Sequence, residues 1–382
     1  MIEADVIIIG GGIMGSATAN SLAVRGVKVV LLEQFPLFHT QGSSHGDSRI
    51  IRKTYAQQHF SNLMETAYPL WARFEKEIGS KLYYKTGGLD FGPESSLSLQ
   101  QTIEVCKGMR SEYRMLSHED LREKYPLKVP ESYVGVLQPD AGIIHASKAH
   151  QMFVRASEDH GARIFQETEV LGLQESKDQV AVQSSKGEYF ADKVVVTAGS
   201  WVDALLAQSF GIRLDLEIWE MTFAYWPVEK KGYDYSLGSF PVFICWEKDV
   251  FYGFPMFEHP GYVKVAPHYA LRRVTPTTRG QSPDSEYLSQ IGKFIDKRMK
   301  GVKSHPQYAT TCLYTMTKDE NFILDFLPNS ERIIIGGGFS GHGFKFAPLI
   351  GRILSDLALD GRTPFDLSPF SLQTHRKSAG LD

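Results

Sequence analysis

His45, Arg49 and Arg52 crowd into the stretch GSSHGDSRIIRKTY, residues 42–55. As a helix, that stretch would carry all three on one face, because residues three and four apart are neighbours there. Two arginines so placed repel each other, which a wet surface tolerates and an anion site uses. Another cation, Lys345, ends the glycine run GGGFSGHGFK, just before the apolar periodicity of PLIGRILSDLAL announces a helix. A helix N-terminus disfavours a cation, so Lys345 is either the partner of an anion or a cover for the helix end. His342 in the same run reads as positional. Cys312, in TCLYTMT, is a buried structural thiol or a reactive group; free cysteine is commonly buried. Lys264 and His268 share the segment YVKVAPHY. They are a surface lysine on an edge strand and a satisfied sheet histidine, or else members of a site.

These side chains need elements to position them, and the N-terminus supplies the clearest ones. Residues 5–9 (DVIII) form a short, β-branched, apolar run that reads as a buried strand. Gly10-Gly11-Gly12-Ile13-Met14-Gly15 follows at once, then the helical pattern SATANSLAVRG with Gly26 as its stop, then VKVVLLE ending in Glu33. Each part has a mechanical reason. Gly10 permits the tight turn, Gly12 lets the backbone approach a pyrophosphate, and Gly15 lets helix and strand pack closely. The helix N-terminus offers free N–H groups to a phosphate, and Glu33 can accept from ribose hydroxyls. The lone glycine pattern is weak; strand, glycines, helix, strand and acid in order are not. They predict a dinucleotide site.

After Glu33 the chain leaves the alternating βα course expected of a short NAD enzyme and enters the polar loop of 42–55. Hairpin strands follow at 168–174 and 179–184, then a strand and helix start over YFADKVVVTAGSW, 189–201. The C-terminal region returns with the strand and glycines of RIIIGGG, 332–338. A nucleotide domain interrupted in this way resembles the two-domain flavoprotein plan of the glutathione-reductase type. Helical spacing marks 58–82 and 146–161, the latter stopped by Gly161. Over 213–275 short aromatic-rich strands (LDLEIWEMTFAYWPV, FPVFICW, DVFYGFPMF, YVKVAPHY) predict one large antiparallel sheet. The expected class is therefore mixed α/β: a Rossmann-like FAD-binding domain from 1–85, 146–212 and 313–382, and a substrate domain with the antiparallel sheet from 86–145 and 213–312. A site between two such units is the default expectation.

Composition restricts the partners. The chain has 382 residues, 42% hydrophobic and 22% charged, with a net charge of -3. That balance gives no reason to expect nucleic acid or an anionic membrane. The three cysteines, Cys106, Cys245 and Cys312, fit a reducing compartment rather than a disulfide framework, and no spacing suggests a metal site. Cys106 and Cys245 read as core residues. The start lacks a basic region before its apolar run, and the end, Ala-Gly-Leu-Asp, is not a peroxisomal address. The expected location is cytoplasmic.

The segments GGGIMG, GSSHGDSRIIR, YYKTGGLDFGP, CLYTMTKDENFILD and GFSGHGFKFAP, spread from start to end, give the chain a further likeness. It resembles the monomeric sarcosine oxidase and N-methyltryptophan oxidase family of covalent flavoproteins; residues 275–310 match only loosely. The resemblance implies FAD, joined through a thioether from Cys312 to the flavin's 8-methyl carbon. It implies that Arg52 and Lys345 bind the substrate carboxylate, and that His45 and Arg49 lie beside the flavin ring. Lys264 looks like the lysine that helps flavin react with oxygen, His268 like an active-site histidine, and Tyr252 and Tyr314 like pocket tyrosines. Cofactor contacts are implied at Gly10, Gly12, Ile13, Met14, Gly15, Glu33, Ser43, Ser44, Arg49, Val170, Ala198, Gly199, Trp201, Cys312, Gly341, Gly343, Phe344 and Lys345. The implied partners are a small amino acid and molecular oxygen, acting on a monomer.

Physical chemistry agrees with these roles. A carboxylate is best met by a planar guanidinium with lysine as a second point charge. Oxygen accepting an electron becomes an anion, which a fixed cation stabilises. A positive, partly dry pocket favours the neutral amine that such an oxidation needs. The chain departs from the family in the pocket wall. Sarcosine oxidases carry methionine where this chain has Phe243 or a neighbour, and an Asn-Gly turn at Lys248-Asp249; Arg272 and Arg273 are additions. The expectation is an FAD oxidase that converts a secondary amino acid, sarcosine first, to an imine, then to an aldehyde and the primary amino acid, with hydrogen peroxide. Larger N-alkyl, sugar-derived or cyclic amino acids remain open, as do a flavin dehydrogenase with a protein acceptor and a flavin-binding scaffold without turnover.

Overall fold

A run of β-branched residues with water on neither side becomes a central strand, and Ile2–Ile9 does so in this computed structural model, which describes residues 2–108, 111–229, 232–280 and 282–381. It pairs in parallel with Val29–Leu32 on one side and Gly187–Val196 on the other. The parallel core extends to Arg163–Phe165 and Ile333–Gly337. The hairpin Val170–Glu175 and Val180–Ser184, together with Ile323–Phe326, completes an eight-stranded sheet among the described residues. Alternation sorts its side chains into two layers. Val6 and Ile8 face the helices Ile13–Ala23, Gln58–Ile78, Ala146–Asp159 and Ala347–Asp360, while Ile7 and Ile9 face Leu205 and Leu206 of the helix Val202–Phe210. The second helix stops short of residue 82 because Gly79 turns left-handed, with φ 61°.

The glycine turn leaves the sheet at the carboxyl end of Ile2–Ile9. There the neighbouring strands lie on opposite sides, which is the crevice where open α/β sheets bind ligands.

Among the described residues a nine-stranded sheet makes the second layer system. Its pairs are antiparallel as expected, except that Val242–Cys245 runs parallel to Gly88–Pro93. A strand from 88–93 enters the sheet beside a strand more than a hundred residues later, and no hairpin constrains their direction. The strand Tyr308–Met316, which carries Cys312, pairs with Glu217–Pro227 along its whole length, from Tyr308 to Met316.

Period-two alternation divides this sheet into a core face and a site face. Ala224, Trp226, Phe243, Cys245, Phe251, Val263 and Val265 are buried with Ile291, Phe294 and Ile295 of the helix Ser285–Arg298. Their strand neighbours point the other way. Register places Tyr252 beside Ala266, Lys264 beside Tyr225, Met221 beside Cys312 and Trp219 beside Tyr314. A small sheet of Ser48–Ile51, Gly142–His145 and Tyr83–Lys85 carries the arginine-bearing segment. Among the described residues no helix is long and apolar enough to cross a membrane.

Candidate active site

The first cavity, about 250 Å³, lies along the glycine turn. It is lined by Gly10, Gly12, Ile13, Met14, Glu33, Ser43, Ser44, Arg49, Val170, Ala198, Gly199, Trp201, Gly341, Gly343 and Phe344. Gly15 works from behind: a Cβ there would stand 1.9 Å from the Gly10 carbonyl oxygen. Gly10 itself has φ +100°, a conformation that L side chains rarely adopt. Glu33 is buried and accepts hydrogen bonds from the backbone N–H of Gly11 at 2.7 Å and Phe35 at 2.9 Å. Burial alone would raise its pKa, but His39 and these two N–H groups outweigh it and hold the carboxyl below its ordinary range. His150 went unnoticed in the sequence. Its Nε2 lies 2.7 Å from the Gly11 carbonyl oxygen, which can only accept, so the imidazole pins the turn as a donor.

This crevice fits an adenine dinucleotide by its own geometry. A Cβ on Gly12 would fill the space 3.0 Å from Ser44 Oγ, and that same oxygen accepts from the N–H of Ile13 at the helix start. An ionised acid, a side-chain-free turn and a helix N-terminus meet in one slot.

The second cavity, about 420 Å³, shares Arg49, Tyr314, Gly341 and Phe344 with the first. The other expected groups that line it are Arg52, Tyr252, Lys264, His268, Cys312 and Lys345. His45 lines neither cavity. It sits near Phe223 with its Nε2 buried and without a hydrogen-bond partner among the described residues. Burial, then the charge of Arg49, pushes its pKa down to about 3, so the ring is neutral.

The 42–55 stretch is not a helix. It is a loop with Gly46 at φ +86°, followed by the strand Ser48–Ile51. Ile50 and Ile51 favour the extended form, and pairing with Gly142–His145 fixes it. Arg49 folds back to donate to the carbonyls of Ser43, His45 and Ser48. Arg52 lies over the Tyr55 ring at 4.4 Å, with Trp246 at 6.0 Å. Its Nη1 donates to Thr54 Oγ1 at 3.3 Å and stands 3.7 Å from buried Asp90. Asp90 in turn accepts from Trp246 Nε1 at 2.9 Å and Thr54 Oγ1 at 2.6 Å. Asp90 and Trp246 lie in segments the sequence marks, but neither is singled out there as a site residue; they enter through sheet register.

Lys345 precedes the helix, in the short turn Gly343–Phe346. Its ammonium donates to Tyr55 Oη and the His342 carbonyl, both at 2.8 Å. His342 Nε2 faces the Glu320 carbonyl at 3.0 Å and so is a donor, which leaves Nδ1 to accept from Tyr55 at 3.3 Å. Burial, with Arg52 and Arg49 nearby, depresses the Lys345 pKa well below its ordinary value. Two basic side chains lining one cavity suit an anion as their partner.

Lys264 is no surface residue. It lies in a central strand, 4% exposed, 2.9 Å from Glu258. Tyr252 and Tyr314 share a hydrogen bond of 2.9 Å between hydroxyls. His268 is held in its neutral form, first by burial and then by Arg52 and Lys345, against the opposing charge of Glu320. Cys312 is 4% exposed; burial raises its pKa, against the pull of Arg49 and Lys264. Cys106 and Cys245 line neither cavity.

The pocket wall also needs correction. Phe243 points into the core, and the adjacent Ile244 faces the cavity, because the strand alternates. Arg272 and Arg273 pair with Glu220 and Glu217 away from the cavities.

Comparison with known proteins gives a consistent picture. The FAD dependent oxidoreductase family matches residues 5–357. A probable sarcosine oxidase of Arabidopsis thaliana is 37% identical, over 97% of this chain and 92% of that protein. A monomeric sarcosine oxidase of a Bacillus species is 33% identical over 96% of this chain and 95% of that protein. The solved open form of NikD, an unusual amino acid oxidase essential for nikkomycin biosynthesis, superposes with a TM-score of 0.87 at 26% identity. That match covers 97% of this chain and 98% of that one.

Proposed function

The chain belongs to the FAD dependent oxidoreductase family, and from that premise we propose that it oxidises the CH–NH bond of a secondary amino acid, sarcosine first among them, with oxygen as acceptor. The observation that carries this reading is the wall the two cavities have in common. The dinucleotide crevice shares Arg49, Tyr314, Gly341 and Phe344 with a second chamber, which is lined by a pair of cations for a carboxylate.

FAD, when bound, supplies the two-electron acceptor. The chain does the rest. Arg52 and Lys345 hold the carboxylate, with the guanidinium fixed between Tyr55 and Trp246. A carboxylate held there leaves the CH–NH unit to face the shared wall. Burial beside these cations favours the uncharged amine. His268, neutral and on the cavity wall, is available to take a proton. Two electrons and two protons leave the CH–NH unit, and oxygen receives both pairs to give hydrogen peroxide. Water then splits the imine into an aldehyde and the primary amino acid. Lys264 provides the fixed positive charge where oxygen gains its first electron. Cys312, on the same wall, is the attachment point for the flavin.

A bulkier N-alkyl amino acid is the second reading. The cavity volume and the apolar wall of Ile244, Trp246 and Val250 favour it. The test is peroxide release by the purified holoprotein across a series of N-methyl and cyclic amino acids, with flavin bleaching followed anaerobically. Bleaching with sarcosine and peroxide in air are expected. No bleaching with any N-alkyl amino acid would refute the enzyme reading, and bleaching without peroxide would replace oxygen by a protein acceptor.

A further inference from the structure

Behind Lys264, and off the cavity wall, lies a carboxylate that no motif announced. Glu258 Oε1 is 2.9 Å from Lys264 Nζ, and the two side chains are 4% and 5% exposed. Ser48 Oγ and Tyr225 Oη both donate to Glu258. Lys264 also donates to Ser48 Oγ at 3.1 Å. Those two bonds use two of the three ammonium protons and leave one for the cavity that Lys264 lines. Phe223 and Phe254 stand over the ammonium at 4.3 and 5.1 Å and exclude water from its flanks.

We propose that Glu258 is a positioning residue: it keeps Lys264 charged and aims its ammonium at the oxygen site. The inference rests on the reading of Lys264 as the cation that serves oxygen.

Burial in a dry wall drives a lysine toward its neutral form. The groups that face Lys264 from its neighbours are Arg49, the Cys312 thiol, the neutral His45, Tyr225 and Glu258. Burial leaves the Lys264 pKa below its ordinary value, and Glu258, the carboxylate in contact, opposes that fall while Arg49 adds to it. Burial would protonate Glu258, but Lys264 and the hydroxyls of Ser48 and Tyr225 outweigh that and hold its pKa at about 2. The carboxylate therefore stays ionised at every working pH. The pair is a dipole whose positive end faces the cavity, so it still stabilises a negative charge there. A neutral amine would not.

The test uses the holoenzyme labelled with [13Cε]lysine, the Lys264 resonance being assigned by its loss in Lys264→Met. In the wild type that resonance should stay in its charged position from pH 6 to pH 9. A neutral Lys264 at pH 8 overturns the proposal without any variant. In Glu258→Gln the resonance should titrate within this range, and Glu258→Asp should restore the charged position. Stopped-flow reoxidation of the reduced Glu258→Gln enzyme should match wild type within a few-fold at pH 6. By pH 9 it should have slowed by about tenfold or more, one decade per unit above the new pKa. Anaerobic reduction by sarcosine should stay within about threefold, since the carboxylate site is untouched. Wild-type reoxidation rates in Lys264→Met would sink the lysine reading itself. Slow Lys264→Met with an unaltered, fully charged Glu258→Gln would sink the role of Glu258 alone.

Discussion

Replacing Lys345 by methionine tests the carboxylate site directly. Lys345 is buried, its ammonium bonded to Tyr55 Oη and the His342 carbonyl and lying in one cavity with Arg52. A hydrogen bond between charged groups is worth about 1.5–3 kcal/mol, which corresponds to about 10- to 150-fold in KM for sarcosine. The contact to the carboxylate exists before and during the reaction, so kcat should change by less than about threefold. Protonation adds a second signature. Burial and the two arginines depress the Lys345 pKa in the ligand-free protein, while a bound carboxylate favours the charged form. Binding of a non-oxidisable carboxylate, such as acetate, should therefore take up a proton and weaken as pH rises above the depressed pKa. Lys345→Met should lose that slope.

The sign for stability follows from the same shift. A lysine whose folded pKa is lowered costs stability below that pKa, and the cost fades as pH rises toward the unfolded value of about 10.4. The variant should thus show a smaller rise of Tm with pH over that window. Steady-state kinetics, acetate titration by flavin absorbance and calorimetry check the three parts. A KM within threefold of wild type, or a fall in kcat at constant KM, would refute the assignment.

Cys312→Ala should move the yellow colour from the acid-precipitated pellet to the supernatant, because the thioether is lost while the crevice still binds FAD; colour retained in the pellet would assign the linkage elsewhere. Gly15→Ala places a methyl 1.9 Å from the Gly10 carbonyl oxygen. It should cost about 3 kcal/mol or more and give colourless protein or none, read by flavin absorbance after purification. Asp90→Asn removes the charge opposite Arg52 while keeping an acceptor for Trp246. It should raise KM for sarcosine about 3- to 10-fold, the worth of a modest ion pair that orients Arg52, with kcat nearly intact.

Much of the nucleotide crevice was written locally. Residues 5–33 hold a strand, a turn, a helix, a strand and an acid in order, and that order is legible from neighbours in the chain and the left-handed freedom of Gly10. The alternation of 262–267 likewise fixed that Lys264 and Ala266 face one way and Val263 and Val265 the other. Sequence could not say which face met solvent, and so a surface lysine stayed open as the alternative reading of Lys264. Strand order decided that, by placing Tyr262–Pro267 between Glu217–Pro227 and Phe251–Phe254. The same order brought Asp90 and Trp246 to Arg52, and Glu258 to Lys264. Nothing local marks these residues as partners, since a buried counter-charge needs only proximity, and proximity between distant segments is set by register. The stretch 42–55 shows the same limit: spacing describes a face only after the backbone is known, and pairing with Gly142–His145 made part of that backbone extended. Local chemistry determined what could bind a dinucleotide; tertiary structure alone decided which buried charges face each other, because that energy depends on distance through space and not along the chain.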